Sequence, residues 1–263
     1  MCWDASSPVA DFQGGSMDDT SVSRYHAVVL AQLQRIADSQ AEALEQSAQA
    51  VFASLRSSGV LHVFGSGHSH TLAEEAYHRA GGLVPVNAIQ EAFLTPLTPP
   101  RISGELERVP GLAARILDGH EIHPGDVLLV VSNSGINPVP IEMAEEGKRR
   151  GLTVIAVTSV RHSAAVPSRH PRGIRLFEIV DLILDTCGEP GDAAVTYPGL
   201  ACKVGPTSLV AGSYIINSLV CRIVELFLEH GLTPPVHQSA NVPGGDEHNR
   251  ALELQYRGRV RGL

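Results

Sequence analysis

The sequence predicts an α/β fold in which a parallel β-sheet is covered by helices on both faces. Short runs that are apolar almost throughout recur along the chain, which is typical of strands buried on both sides. Stretches with helical periodicity separate these runs, and such alternation implies right-handed crossovers in a doubly wound layer. No internal repeat or clear linker interrupts the pattern, so we expect a single domain over residues 20–263, preceded by a disordered tail over residues 1–19.

The individual elements follow from periodicity and from helix start and stop signals. Apolar residues between Leu30 and Leu55 recur in steps of three and four, which predicts one long N-terminal helix. Five strands are predicted after it, over residues 60–64, 84–89, 127–131, 154–157 and 182–184. The intervening helices are expected to start near His70, near Leu106 and at Pro138. Residues 95–111, rich in Pro and Gly, predict a long loop.

Composition limits the class of partner and the compartment. The net charge of −8 and the pI near 5.8 argue against nucleic-acid and anionic-membrane partners. The four cysteines form no C-x-x-C pair, which favours a reducing cytoplasm, and the first residues lack the pattern of a secretory signal. The closing helix, residues 206–229, is apolar on nearly every side except at Arg222 and Glu225. We expect the core or another subunit to bury it.

Two loops that follow predicted strands contain the candidate binding residues. The first, GSGHSH at 65–70, begins like a dinucleotide fingerprint, but His70 stands where the third glycine is needed. The second, SNSGIN at 132–137, runs directly into the helix that starts at Pro138. Hydroxyl groups, a glycine and a helix N-terminus suit a phosphate group, because backbone N–H groups and the helix dipole both favour an anion. A plain capping turn is the alternative.

Three segments resemble the sugar-isomerase (SIS) family of phosphosugar-binding domains: GSGHS at 65–69, SNSG at 132–135 and TSVRHS at 158–163. The resemblance covers residues 60–230 and implies a flavodoxin-like, three-layer α/β/α sandwich with a five-stranded parallel sheet. It implies that the small-molecule ligand is a sugar phosphate, whose phosphate would be bound by Ser69, Ser132, Ser134, Gly135 and Asn137, with Asn133 as a further substrate-binding residue. It also implies that Ser66, His68 and Ser159 line the sugar.

The chemistry implied by this resemblance is removal of the proton on C2 of an opened sugar, which needs a carboxylate or imidazole base. Glu91, just past the second strand, is the candidate base, and Glu75, on the helix after GSGHS, is its candidate partner; Glu74 is a weaker choice. The tail NVPGGDEHN at 241–249 resembles that of a little-characterised SIS branch. It is either a surface turn or a segment that closes a site with His248 as an acid. SIS domains commonly pair, so a homodimer or larger homo-oligomer is expected.

Elimination is the reaction that remains after two isomerase patterns are excluded. Zinc-dependent heptose-phosphate isomerases carry His and Glu where this chain has Glu75 and Arg79, and amidotransferase-linked isomerases need a tail lysine that is missing here. The resemblance extends to N-acetylmuramic acid 6-phosphate etherases, which use acidic residues to take the C2 proton and expel the C3 substituent. It therefore implies a dehydratase or etherase-type lyase that acts on an N-acetylhexosamine 6-phosphate such as N-acetylglucosamine 6-phosphate. An aldose–ketose isomerase and a non-catalytic sugar-phosphate sensor are the alternatives. Glu74 and His78 are spaced for a metal ion, but the phosphate loop needs none, so no metal or cofactor is predicted.

Overall fold

A five-stranded parallel sheet forms the centre of the computed structural model, which describes residues 20–263; the predicted disordered tail lies outside the described residues. The strands are β1 (Leu61–Gly65), β2 (Val86–Ile89), β3 (Val127–Val131), β4 (Thr153–Thr158) and β5 (Leu182–Asp185). Their order across the sheet is β2-β1-β3-β4-β5, and all four pairings are parallel. The doubly wound sheet is confirmed, and each predicted strand agrees to within two residues at either end.

Helices cover both faces of this sheet. They are α1 (Ser21–Ser39), α2 (Ala41–Leu55), α3 (His70–Ala76), α4 (Pro100–Leu106), α5 (Leu112–Leu117), α6 (Pro138–Arg149), α7 (Val160–Ala164), α8 (Ser208–Glu229) and α9 (Gly245–Tyr256). A small antiparallel hairpin, β6 (Ala193–Val195) with β7 (Val204–Pro206), packs against α1 and was not predicted.

Side chains of successive residues in the central strands point to opposite faces of the sheet and form two separate apolar cores. Val63 and Leu129 point to the face covered by α1, α2, α3 and α8. Phe64 and Leu128 point to the opposite face, which α5 and α6 cover. Successive side chains of a strand lie on opposite sides of a sheet, so strands with no polar alternation need a helical layer on each face. The predicted three-layer architecture is therefore confirmed.

The predicted long N-terminal helix is two helices. The break falls at Gln40, whose backbone leaves the helical region, and its side-chain oxygen accepts a hydrogen bond from the backbone N–H of Asp185 at 2.9 Å. On α1, Gln32 is buried and donates to the carbonyl oxygen of Thr186. These polar contacts hold α1 and the break at Gln40 against the end of β5. They cannot be predicted from the apolar periodicity of the sequence.

The prediction of a long loop over residues 95–111 was wrong, because α4 lies within this segment. Pro100 occupies the first turn of α4, where a missing N–H costs nothing and the fixed φ favours a helix. The next helix, expected near Leu106, begins at Leu112 instead. It follows Gly111, whose φ of 87° is in the left-handed region.

The long apolar helix α8 has the length and composition of a membrane-spanning helix. Its buried side chains, among them Ile215, Leu219 and Ile223, belong to the core beneath α2 and α3. The expectation that the core buries this helix is confirmed for that face. Its other face carries Arg222, which bonds to Glu45 of α2 and to Glu229.

An ion pair with a buried carboxylate fastens the C-terminal segment at the start of β3. The predicted turn at 241–249 is in part a helix, because α9 begins at Gly245. Beyond α9, the guanidinium of Arg259 donates to both carboxylate oxygens of Asp126 at 2.8 Å, and Asp126 is 1% exposed. Burial alone would raise the pKa of Asp126, but hydrogen bonds from His62 and from two backbone N–H groups lower it to about 2.

We predict that Arg259→Met lowers the free energy of unfolding by about 2–4 kcal/mol, because it leaves the buried Asp126 carboxylate without its cation. Urea denaturation followed by circular dichroism measures the change. Arg101→Met is the matched control, since Arg101 pairs with Glu105 on the surface with 90% of its side chain exposed. The control should change stability by less than about 0.5 kcal/mol. A loss no larger than that of the control would show that Arg259 does not fasten the tail.

Candidate functional site

The carboxyl ends of β1 and β3 form a crevice that the two candidate binding loops border. These strands are neighbours in the sheet, whereas β2 lies outside β1, so the strand order reverses between β1 and β3. Open α/β sheets bind ligands at such a reversal point. The loop 66–69 leaves β1 there and the loop 132–137 leaves β3. A side chain on Gly65 would lie 2.3 Å from the carbonyl oxygen of Ser69, so the tight first turn requires glycine.

The loop 132–137 has unused hydrogen-bond donors. The hydroxyl of Ser132 is buried and accepts a bond from the N–H of Gly135 at 3.2 Å. Gly135 has a φ of 57°, and a side chain there would crowd Leu176 and Thr158. The half-buried hydroxyl of Ser134 has no partner among the described residues, and the same holds for the backbone N–H groups of residues 134, 136 and 137.

The unused hydrogen-bond donors of the site belong to the loop 132–137 and not to α6, the helix that follows it. Pro138 and Pro140 have no N–H, and the N–H of Val139 donates to the carbonyl oxygen of Glu107 at 3.2 Å. The first turn of α6 therefore contributes its dipole but no free donor. An anion at this point would have to be bound by the loop amides and by Ser134.

Arg169 adds a cation that the sequence reasoning missed. Its guanidinium donates to the side-chain oxygen of Asn137 at 3.1 Å, and its backbone N–H donates to the carbonyl oxygen of Ile136. Within residues 20–263, Arg169 forms no ion pair with a carboxylate. Its charge is therefore available to an anion beside the loop, and guanidinium groups bind phosphate oxygens with strong, charge-assisted hydrogen bonds.

Glu107 brings a carboxylate to the same crevice and was also missed. The hydroxyl of Ser66 donates to Oε1 of Glu107 at 2.7 Å, and Ser66 is 5% exposed. Glu107 follows α4 and contacts the start of α6 through its carbonyl group. It is therefore in contact both with the loop after β1 and with the helix after β3.

The other predicted binding residues lie in different environments. His68 is exposed at the mouth of the first loop. Ser69 and Asn133 line a narrow gap of about 10 Å³ with Thr186 and Ser208, which holds no more than one water. Ser159 is fully buried; its hydroxyl donates to the carbonyl oxygen of Gly188 and caps α7.

Comparison with known proteins identifies the family. The SIS domain profile matches residues 24–159, which include β1 to β4 and both loops. The chain belongs to the SIS-domain family. Within this family, it is 39% identical to a UPF0309 protein of Shouchella clausii, over 91% of this chain and 98% of that one. It is 38% identical to a UPF0309 protein of Geobacillus kaustophilus, over 91% and 95%.

Solved structures share the fold at low sequence identity. The phosphoheptose isomerase GmhA of Neisseria gonorrhoeae is 18% identical, with a TM-score of 0.52 over 78% of this SIS protein and 97% of that chain. A phosphoheptose isomerase of Francisella tularensis, also 18% identical, has a TM-score of 0.53 over 78% of this chain and 96% of that chain. The Vibrio vulnificus NanR protein, complexed with ManNAc-6P, is 17% identical and has a TM-score of 0.51 over 80% of this chain and 65% of that chain. At these identities the likeness shows the fold alone.

The three predicted catalytic residues of this SIS protein contact different partners, and no hydrogen bond or ion pair within residues 20–263 joins any two of them. Glu75 pairs with Arg79 and accepts hydrogen bonds from Ser213 and Asn217 of α8. Glu91 follows the edge strand β2 and lies 4.0 Å from Arg261. His248 is on α9, where its Nε2 donates to the carbonyl oxygen of Val236 at 3.0 Å.

One group of side chains in the described part of the chain can hold a metal ion. His78, His237 and Glu253 bring two imidazoles and a carboxylate together beside α9. Glu74, which the sequence paired with His78, faces His70 at 3.6 Å instead. Likewise, Glu75 and Arg79 pair with each other, so they offer no ligand set of the heptose-isomerase kind. Burial lowers the pKa of His237, which favours the neutral imidazole that binds metals.

We predict that Ser134→Ala weakens binding of a sugar 6-phosphate by about tenfold or more, because it removes one charge-assisted hydrogen bond of about 1.5–3 kcal/mol to the phosphate. Isothermal titration calorimetry with N-acetylglucosamine 6-phosphate measures the affinity. Ser39→Ala, which removes an exposed hydroxyl at the end of α1, is the control and should bind like the wild type. Equal affinity in both variants would show that the loop 132–137 does not bind the phosphate.

Proposed function

We propose that this SIS protein is a lyase that acts on an N-acetylhexosamine 6-phosphate. The phosphate is bound by Ser134, by the amides of the loop 132–137 and by Arg169. With the phosphate there, the sugar extends towards Ser66 and the carboxylate of Glu107. The observation that carries this proposal is the carboxylate of Glu107 in contact with the loop after β1, beside a set of unused anion donors in the loop after β3.

Glu107 is the proposed base. In an opened sugar the carbonyl at C1 acidifies the proton on C2, and a carboxylate in contact with that proton can remove it. The electron pair left on C2 then expels the oxygen on C3, and Glu107 returns the proton to this leaving group. The sugar loses water, or an alcohol if C3 carries an ether, and acquires a double bond. Atoms and charges balance without a cofactor.

Glu91 is the base that the sequence favours, and the geometry supports it less well. It also follows the carboxyl end of a strand, but β2 is at the edge of the sheet and the partner of Glu91 is Arg261 of the C-terminal segment. Glu75 is engaged by Arg79 and by two polar residues of α8. Glu107 alone among these three carboxylates contacts a residue of the loop after β1.

The choice of sugar rests on the NanR protein, which shares this fold and is complexed with ManNAc-6P. An aldose–ketose isomerase is the second candidate, since two phosphoheptose isomerases also share the fold. Both reactions begin with removal of the C2 proton and differ in the fate of the electron pair left on C2.

The gap beside Ser69 is too narrow to hold a sugar ring. In this proposal the sugar therefore lies outside the gap, towards Glu107 and His68.

We predict that the wild type exchanges the C2 hydrogen of N-acetylglucosamine 6-phosphate for deuterium in D₂O and forms an unsaturated product. Glu107→Gln should retain binding but slow both processes about 10²–10⁴-fold, because it removes a positioned base. Proton NMR follows the C2 signal and the product. Glu105→Gln, two residues away with 62% of its side chain exposed, is the matched control and should react like the wild type.

Each other outcome has a distinct meaning. A ketose product in place of an unsaturated one would make the protein an isomerase. Binding without any exchange by the wild type would overturn the enzyme proposal and leave a sensor. Exchange at the wild-type rate in Glu107→Gln, with its loss in Glu91→Gln, would place the base on Glu91.

A further inference from the structure

A second site lies where the C-terminal segment meets the chain that follows α3. Nε2 of His78 is 3.0 Å from Oε1 of Glu253, and Nε2 of His237 is 3.4 Å from the same oxygen. All three possible ligand atoms lie within 4.8 Å of one another. The residues come from the end of α3, from the segment before α9 and from α9 itself, so the fold alone brings them together.

Among these three residues, His237 is the one whose burial is not explained by an ion pair with Glu253. It is 4% exposed, and neither of its ring nitrogens has a hydrogen-bond partner among the described residues, although one faces Glu253. Its backbone is held firmly, since its N–H and its carbonyl group bond to Gly82 and Gly81. A buried polar group without a partner is costly, so such a group in a native protein requires an explanation. A ligand between His237, His78 and Glu253 supplies one.

The backbone at His78 is also unusual. Its φ of 42° lies in the left-handed region, which non-glycine residues adopt uncommonly. The rings of His78 and His237 lie close together, with centroids 4.9 Å apart at an angle of 63°. A metal ion bound by both rings would account for this close approach.

The donor set points to the class of ion. Two imidazole nitrogens and one carboxylate oxygen are ligands of zinc and of neighbouring divalent transition metals, whereas magnesium and calcium prefer oxygen alone. Around a tetrahedral zinc ion, ligand atoms at about 2.0–2.2 Å from the metal lie about 3.4 Å from one another. The two distances to Glu253, 3.0 Å and 3.4 Å, are close to that spacing.

The ion can reach the site from solvent. The side chain of His78 is 51% exposed, and it borders an open hollow of about 450 Å³ that Glu74, Glu75 and Tyr77 also line. The third protein ligand, Glu253, is 25% exposed. Three protein ligands would leave the fourth position of a tetrahedral ion to water.

We propose that His78, His237 and Glu253 bind one divalent transition-metal ion, zinc in the first instance, which fastens α9 to the end of α3. This site is separate from the crevice between β1 and β3 and does not depend on the proposed reaction. It acts together with the Arg259–Asp126 pair to hold the C-terminal segment beside the edge strand β2.

The test uses the full chain without a histidine tag, stripped of metal with a chelator. We expect calorimetric titration with zinc chloride to show one zinc ion per chain, elemental analysis after dialysis to find the same ratio, and zinc to raise the melting temperature. Cobalt should give the visible absorption of a tetrahedral site. His78→Gln, an exposed position that the fold tolerates, should weaken zinc binding at least tenfold and abolish the thermal shift. Glu253→Gln should act in the same direction.

His123→Gln is the matched control, because His123 has the same 51% exposure and faces a glutamate, Glu121, at 3.7 Å. It should bind zinc like the wild type. Equal loss of binding in His123→Gln and His78→Gln would mean non-specific binding to surface histidines and would overturn the proposal. A wild type that binds no zinc, cobalt, manganese, nickel or iron(II) would overturn it as well, whatever sugar phosphate the protein uses.

Discussion

The pairing of β1 with β3 is the constraint on which the candidate site depends. The two strands are parallel and in a register that sets Gly65 opposite Val131, so both chains leave the sheet at the same level. The loops after them are therefore neighbours, although more than sixty residues separate them in the sequence. The tight turn at Gly65 and the left-handed Gly135 keep both backbones close to the crevice. A shift of this register by one residue would separate Ser66 from the loop 132–137.

The sequence predicted the part of the fold that depends on local pattern. Buried parallel strands are short, apolar runs, and SNSGIN before Pro138 has the composition of a strand-to-helix loop, so both could be found without a structure. The break at Gln40 could not, because it depends on a contact with Asp185 across the fold. The short helix α4 was missed because its prolines and glycine are as common in loops as at helix starts.

The same distinction explains which site residues were found. The serines of the two loops are adjacent in the sequence to strands that the apolar pattern reveals. Glu107 and Arg169 lie in connecting segments without periodicity, and they reach the crevice only through contacts with Ser66, Ile136 and Asn137. The group of His78, His237 and Glu253 is scattered over 175 residues, so no spacing rule could find it. Glu75 was a reasonable candidate on its helix, but its i,i+4 spacing to Arg79 was already a signal for the ion pair that engages it.

The central claim, that the crevice between β1 and β3 binds the phosphate of a sugar phosphate, is tested most directly by a crystal structure with N-acetylglucosamine 6-phosphate. Such a structure should show the phosphate oxygens within hydrogen-bond distance of the Ser134 hydroxyl and of the backbone N–H groups of residues 134, 136 and 137, with C2 of the sugar facing Glu107. A phosphate bound elsewhere, with the loop 132–137 left free, would contradict the account.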